Sequence, residues 1–140
     1  MPVHTQQLSL HMKGDSHIEN ITGLARKEVR QSGLSAGILT IFVQHTTASV
    51  LIIEDEPGLR EDTKALWDRL VPQIPTWQHN LRNPGETNGH SHLRGQIQGQ
   101  SLTLPFKDQQ LLLGTWQEIV LIDFDTRART RQVIFQIFGE

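Results

Sequence analysis

The chain has 140 residues, a net charge of -2 with its histidines neutral, and no cysteine. Residues 1–140 suit one domain that needs no staples; the charge offers no basic field for nucleic acid, and disulfide and thiolate chemistry are excluded. No basic-then-apolar leader opens the sequence and no apolar run nears the ~20 residues of a membrane helix, so a cytoplasmic protein without membrane contact is expected.

Val3 to Met12 alternates loosely, with Leu8 and Leu10 on the apolar side, and predicts a strand closed by a turn at Gly14-Asp15-Ser16. Ile21, Leu24, Ala25 and Val29 then recur at helical spacing, and Ser32-Gly33 supplies a C-terminal cap. Gly37 to Val43 reads as a strand. His45 to Ile53 reads as its neighbour, joined to it through a run of hydroxyls or continuous with it. Glu54 to Gly58 is an acidic turn leading into an amphipathic helix over Leu59 to Leu70, with Pro72 marking its end.

Pro75 to Gly89 is rich in Asn, Gly and Pro and lacks periodicity, a loop of the length usually kept for function. His92 to Ile97 fits one helical turn. Ser101 to Phe106, Leu111 to Leu113, Gln117 to Phe124 and Gln132 to Phe138 read as further strands, with turns at Lys107-Asp108, Gly114 and Thr126. Strand and helix do not alternate as in a parallel sheet. The expected fold class is therefore α+β: largely antiparallel sheets, sandwich-like, with about two helices packed on one side.

Seven histidines is an excess for this length. His4, His11 and His17 read as surface residues of the first strand and its turn. His45, His79, His90 and His92 sit instead among hydroxyls and amides, where neutral imidazole can ligate a divalent metal and leave a position open for water or substrate. Spacing alone leaves unrelated polar histidines as the simpler reading. Thr46, Thr47, Ser49, Asn88 and Gln117 can hold a polar or anionic ligand through neutral donors, although threonine is also an ordinary strand residue. Glu54 and Asp62 are candidate catalytic carboxylates, set against the helix-start preference for acids. Arg127, Arg129 and Arg131 share one face of a strand, where a solvated edge outweighs an anion site. Trp116 reads as core or subunit interface, and Trp77 as a loop anchor.

The runs His45-Thr46-Thr47-Ala48-Ser49, Asn88-Gly89-His90-Ser91-His92-Leu93, Ser101-Leu102-Thr103-Leu104-Pro105, Gly114-Thr115-Trp116-Gln117 and Asp123-Phe124-Asp125 with Arg131 resemble, in order and over nearly the whole chain, the YjbQ family. The resemblance implies an α+β homotrimer with a histidine metal site and an associated secondary thiamine-phosphate synthase activity, which joins a pyrimidine methyl diphosphate to a thiazole phosphate. His45, His79 and His92 fall on the family's histidine positions. Three imidazoles suit zinc or another transition metal, whereas a diphosphate leaving group suits magnesium. The expectation is a metal-binding enzyme acting on a small phosphorylated or heterocyclic substrate. The alternatives are a non-catalytic ligand-binding or regulatory trimer and a metal-dependent hydrolase.

Overall fold

The computed structural model describes residues 1–140. Its elements run β1 (Val3–Met12), β2 (His17–Asn20), α1 (Thr22–Ser32), β3 (Ala36–Val43), β4 (Ala48–Ile53), α2 (Pro57–Leu70), α3 (Gln78–Arg82), α4 (Gly89–Gln98), β5 (Ser101–Lys107), β6 (Gln110–Leu111), β7 (Glu118–Asp123) and β8 (Arg129–Gly139). One sheet has the order β1-β8-β3-β5-β6 and a second has the order β2-β7-β4, with every pairing antiparallel. The fold is α+β, as expected, with four helices where the periodicity suggested about two.

The two sheets face each other across the main core. Leu39, Ile41 and Val43 of β3 and Val133, Phe135 and Ile137 of β8 meet Ala48 and Val50 of β4 and Ile119 and Leu121 of β7, with Ile21, Ala25 and Val29 closing the cluster beside α1. Gly33 ends α1 at a positive φ of 71°, the left-handed cap that glycine adopts without penalty. The three-stranded sheet is buried on its other face too. There Val120, Ile122 and Phe124 pack with Trp67 and Val71 of the α2 region and with Leu93 of α4. The layers are thus sheet, sheet and helices, and the far side of the five-stranded sheet has no cover.

Several local expectations change. β3 and β4 are not paired neighbours: the chain leaves one sheet after Val43 and enters the other at Ala48, so Gln44 to Thr47 is a crossover between sheets. β2 was not foreseen, because only Ile18 of its four residues is buried and a short edge strand leaves little pattern. α3 lies inside the expected loop, and α4 extends the expected single turn to ten residues. Trp116 is 72% exposed, so its indole is no part of this chain's core.

Candidate active site

Four segments meet at one end of the sandwich: the Gln44–Thr47 crossover, α3, the N-terminal part of α4, and the β7–β8 connection. They enclose an open cleft of about 420 Å³, lined by Gln44, His45, Thr46, Thr47, His79, Asn83, Glu86, Asn88, His92, Asp125, Arg129 and Arg131. None of these twelve residues is hydrophobic.

The floor is a buried ionic network that ties the two sheets together. Arg131 is in phase with Val133, Phe135 and Ile137 on the inward face of β8, and Asp123 is in phase with Ile119 and Leu121 on β7. At the sandwich's end the two meet. Arg131 Nε and Nη2 donate to the two Asp123 carboxylate oxygens at 2.6 and 2.8 Å, with side chains 1% and 0% exposed. Nη2 also donates to Thr47 Oγ1 at 2.7 Å, and Thr47 donates onward to Asp125 Oδ2 at 3.1 Å. Arg131 therefore does not belong to a solvated edge, whereas Arg127, which precedes β8, is exposed and Arg129 is half-buried. The alternation that buries Val133 also buries Arg131, and that phase was the legible signal.

Asp125 accepts from the Thr126 N–H at 2.7 Å and from Asn88 Nδ2 at 3.3 Å, with Arg129 Nε 2.9 Å from its Oδ2. Burial pushes the Asp125 carboxyl up. The Thr126 and Asn88 hydrogen bonds, the Arg129 charge and the Thr47 hydroxyl outweigh it and hold the group below its ordinary value. Asp125 is a fixed anion rather than a base. Because a carboxylate can only accept, Asn88 must present its amide nitrogen to Asp125. Its Oδ1 is left as a buried acceptor with no partner in the chain.

The crossover is bound to both sheets. The Gln44 N–H donates to the Gln132 carbonyl, and the Phe124 N–H donates to the Thr47 carbonyl. α4 lies directly on it: a Cβ at Gly95 would stand 2.4 Å from the Thr46 carbonyl oxygen, so only glycine allows this approach. Arg94 holds α4 from below. Its Nε and Nη2 donate to the Val71 carbonyl at the end of α2, Nη2 also reaches Asp68, and the guanidinium stands 5.9 Å from the Phe124 ring centroid. His92 is thereby placed 4.5 Å, centroid to centroid, from His79. Burial, then the His79 charge, pushes the His92 imidazole below its ordinary value.

His79 is oriented by Asn80. The Gly89 N–H donates to Asn80 Oδ1 at 2.9 Å, which identifies that atom as the oxygen; His79 Nδ1, 3.2 Å from it, is then the donor, and His79 Nε2 keeps its lone pair. An imidazole anchored through one nitrogen with the other free is the usual arrangement of a metal ligand. His45 differs, because its Nε2 already accepts the Gln132 backbone N–H at 2.9 Å. No three His, Asp or Glu side chains stand together as a ready metal site. The expected three-histidine set is thus gathered into one cleft, but as placed it offers two available imidazoles rather than three.

Of the expected substrate-holding residues, Thr46, Thr47 and Asn88 line the cleft. The rest lie elsewhere. Ser49 shares its side of β4 with Leu51 and Ile53, which pack toward the helix layer, and it is fully buried. β4 and β7 pair from Ala48–Asp123 at the cleft to Ile53–Glu118 at the opposite end, so Glu54 and Gln117 emerge about 20 Å away along the strands. The Gln117 side chain is spent on its own turn, accepting the Gly114 N–H at 2.7 Å. Asp62 is exposed on α2. Glu54, Asp62, Ser49 and Gln117 thus lie outside the cleft that gathers the other expected residues. His90, in the first turn of α4, is buried with Nε2 3.4 Å from Ser91 Oγ and does not line the cleft. Gln44, Asn83, Glu86, Asp125, Arg129 and Arg131 are the lining residues not named as site candidates in the sequence.

Residues 6–140 match the model for the UPF0047 protein YjbQ-like family. A UPF0047 protein of Methanothermobacter thermautotrophicus is 31% identical over 140 residues, covering 100% of this chain and 95% of the relative. UPF0047 protein YugU of Bacillus subtilis is 30% identical over 128 residues, covering 91% and 92%. Among solved structures, a YbjQ-like protein of unknown function from Sulfolobus solfataricus superposes with a TM-score of 0.93 at 30% identity, covering 99% of each chain. An uncharacterised conserved protein of the YjbQ/UPF0047 family from Clostridium acetobutylicum gives 0.86 at 31% identity, covering 95% and 99%.

Proposed function

We propose, from the premise that this chain belongs to the UPF0047 family of YjbQ-like proteins, that its cleft is the active site of a cytoplasmic enzyme acting on a small phosphorylated substrate. One observation carries the reading. Two guanidinium groups, three imidazoles and the Thr46 hydroxyl line a cavity with no hydrophobic residue, beside the Asp125 and Glu86 carboxylates. Such a site favours a compact anion bearing hydroxyl or amine donors. Arg129, with its side chain 37% exposed, supplies positive charge for a phosphoryl group and Thr46 supplies a neutral hydroxyl, while Arg131 is spent on Asp123 and Thr47.

A divalent transition metal, zinc before magnesium, would be held by His79 and His92, whose donor chemistry fits it. When bound, it would supply Lewis acidity to a substrate oxygen. The thiamine-phosphate synthase version draws support from the phosphate-binding groups, but one chain offers no apolar wall for a pyrimidine or a thiazole ring. Hydroxylated phosphate esters fit better. A ligand-binding module without turnover would use the same groups, and substrate consumption separates the two. The homotrimer is proposed on the uncovered outer face of the five-stranded sheet, where Val3, Ile38, Phe42 and Phe138 stand 42–55% exposed.

The test is a zinc titration by calorimetry on metal-free protein, together with a thermal-shift panel of phosphate esters. The reading expects about one zinc per chain, lost in His79→Ala and in His92→Ala, and melting points raised by a subset of the esters. A protein that binds neither zinc nor any ester at millimolar concentration would overturn it.

A further inference from the structure

His45 and His79 line the same cleft, but the protein's own hydrogen bonds occupy opposite ring nitrogens in the two, Nε2 in His45 and Nδ1 in His79. Gln132 lies in β8, and its backbone N–H donates to His45 Nε2 at 2.9 Å while its carbonyl accepts the Gln44 N–H at 3.1 Å. A backbone N–H can only donate, so Nε2 must hold the lone pair, and the neutral ring then carries its proton on Nδ1. No protein group accepts that proton. A second proton on Nε2 would set N–H against N–H and break the tie to Gln132. Burial and the charge of Arg131 act in the same direction and push this imidazole below its ordinary value. His79 is the reverse case, with Nδ1–H spent on Asn80 and the Nε2 lone pair free.

We propose that His45 is a neutral hydrogen-bond donor, giving Nδ1–H to a phosphoryl or leaving-group oxygen of the substrate, and is neither a metal ligand nor a proton acceptor. To ligate a metal it would have to release the Gln132 N–H or lose the Nδ1 proton as an imidazolate. To act as a base it has no free lone pair. What remains is a fixed dipole, set on the crossover beside Arg131 and Thr47 and preorganised by the backbone of the opposite sheet; no proton leaves the ring. A neutral imidazole held this way stabilises developing negative charge without the desolvation cost of a buried cation.

The inference rests on the cleft being a phosphate-ester site, and the experiment separates the two. Long-range proton–nitrogen spectra of the full-length, metal-free, nitrogen-15-labelled protein are recorded at neutral pH, with ring signals linked to the assigned backbone so that no variant has to fold. His45 is expected as the Nδ1–H tautomer. Inorganic phosphate should shift its Nδ1–H signal, and zinc should perturb the ring nitrogens of His79 and His92 while His45 keeps its proton. The Nε2–H tautomer, a doubly protonated ring, or loss of the His45 proton on adding zinc would overturn the inference. Phosphate shifts at the Arg129 side chain without any at His45 would overturn it while leaving the cleft reading intact. Absence of any phosphate response in the cleft would sink both.

Discussion

Replacing Arg131 by methionine removes the one cation that joins the two sheets at the cleft end. The Asp123 carboxylate would stay fully buried with only the Asp125 N–H, at 2.9 Å, still bonded to it. Breaking a buried pair from one side costs about 3–5 kcal/mol, because an uncompensated charge is left behind. With an unfolding entropy of ~2.1 cal/mol/K per residue, a chain of this length loses roughly 0.3 kcal/mol per degree, so the melting temperature should fall by about 10–17 °C. The double variant Asp123→Asn with Arg131→Met removes both charges and should recover more than half of that loss, roughly 2–3 kcal/mol. Arg129→Met is the contrast. Its side chain is 37% exposed, its partner Asp125 has other donors, and the cost should stay below about 1 kcal/mol. Urea and thermal unfolding followed by circular dichroism read all three. A single Arg131 variant within about 3 °C of the native protein, or a double variant no more stable than the single, would refute the account of this network.

Three further outcomes follow from the same geometry. The Asp125 carboxyl is held below its unfolded value, so its ionised form stabilises the fold above the ordinary carboxylate pKa of about 3.9, and this contribution is lost as pH falls through the folded value. The gap in urea midpoint between the native protein and Asp125→Asn should therefore be full at pH 7 and narrow below about pH 4; an unchanged gap would contradict it. Gly95→Ala drives a Cβ into the Thr46 carbonyl, costs about 1–3 kcal/mol, and should weaken zinc binding in calorimetry by displacing His92 with α4. Glu54→Gln and Asp62→Asn lie off the cleft and should leave zinc and phosphate affinities within about twofold of native, with a larger change restoring a role for those carboxylates.

Periodicity carries information about burial, and where burial follows a simple period the chain was readable. Leu8 and Leu10 on β1, Ile21 to Val29 on α1, and the alternating apolar residues of β3 and β8 gave elements whose limits agree within a few residues. β2 and α3 are short and mostly exposed, and their limits are set by partners such as β7 and α4 rather than by local pattern. Arg131 shows a different failure. Its phase on β8 was visible, but a charge at an inward position normally argues for a strand end in solvent. Only Asp123 on the other sheet makes burial affordable.

The sequence by itself determined the α+β class, the antiparallel habit, the absence of thiol chemistry and the polar stretches around His45, His79 and His92, because each follows from composition or local period. Tertiary structure alone decided that the crossover changes sheets and that α4 seats His92 beside His79. It also turned Glu54 and Gln117 toward the opposite end, through the antiparallel register of β4 and β7. The roles of the histidines were decided there as well. Which ring nitrogen keeps its lone pair depends on a Gln132 N–H and an Asn80 oxygen, and the Gln132 N–H lies 87 positions from the His45 it constrains.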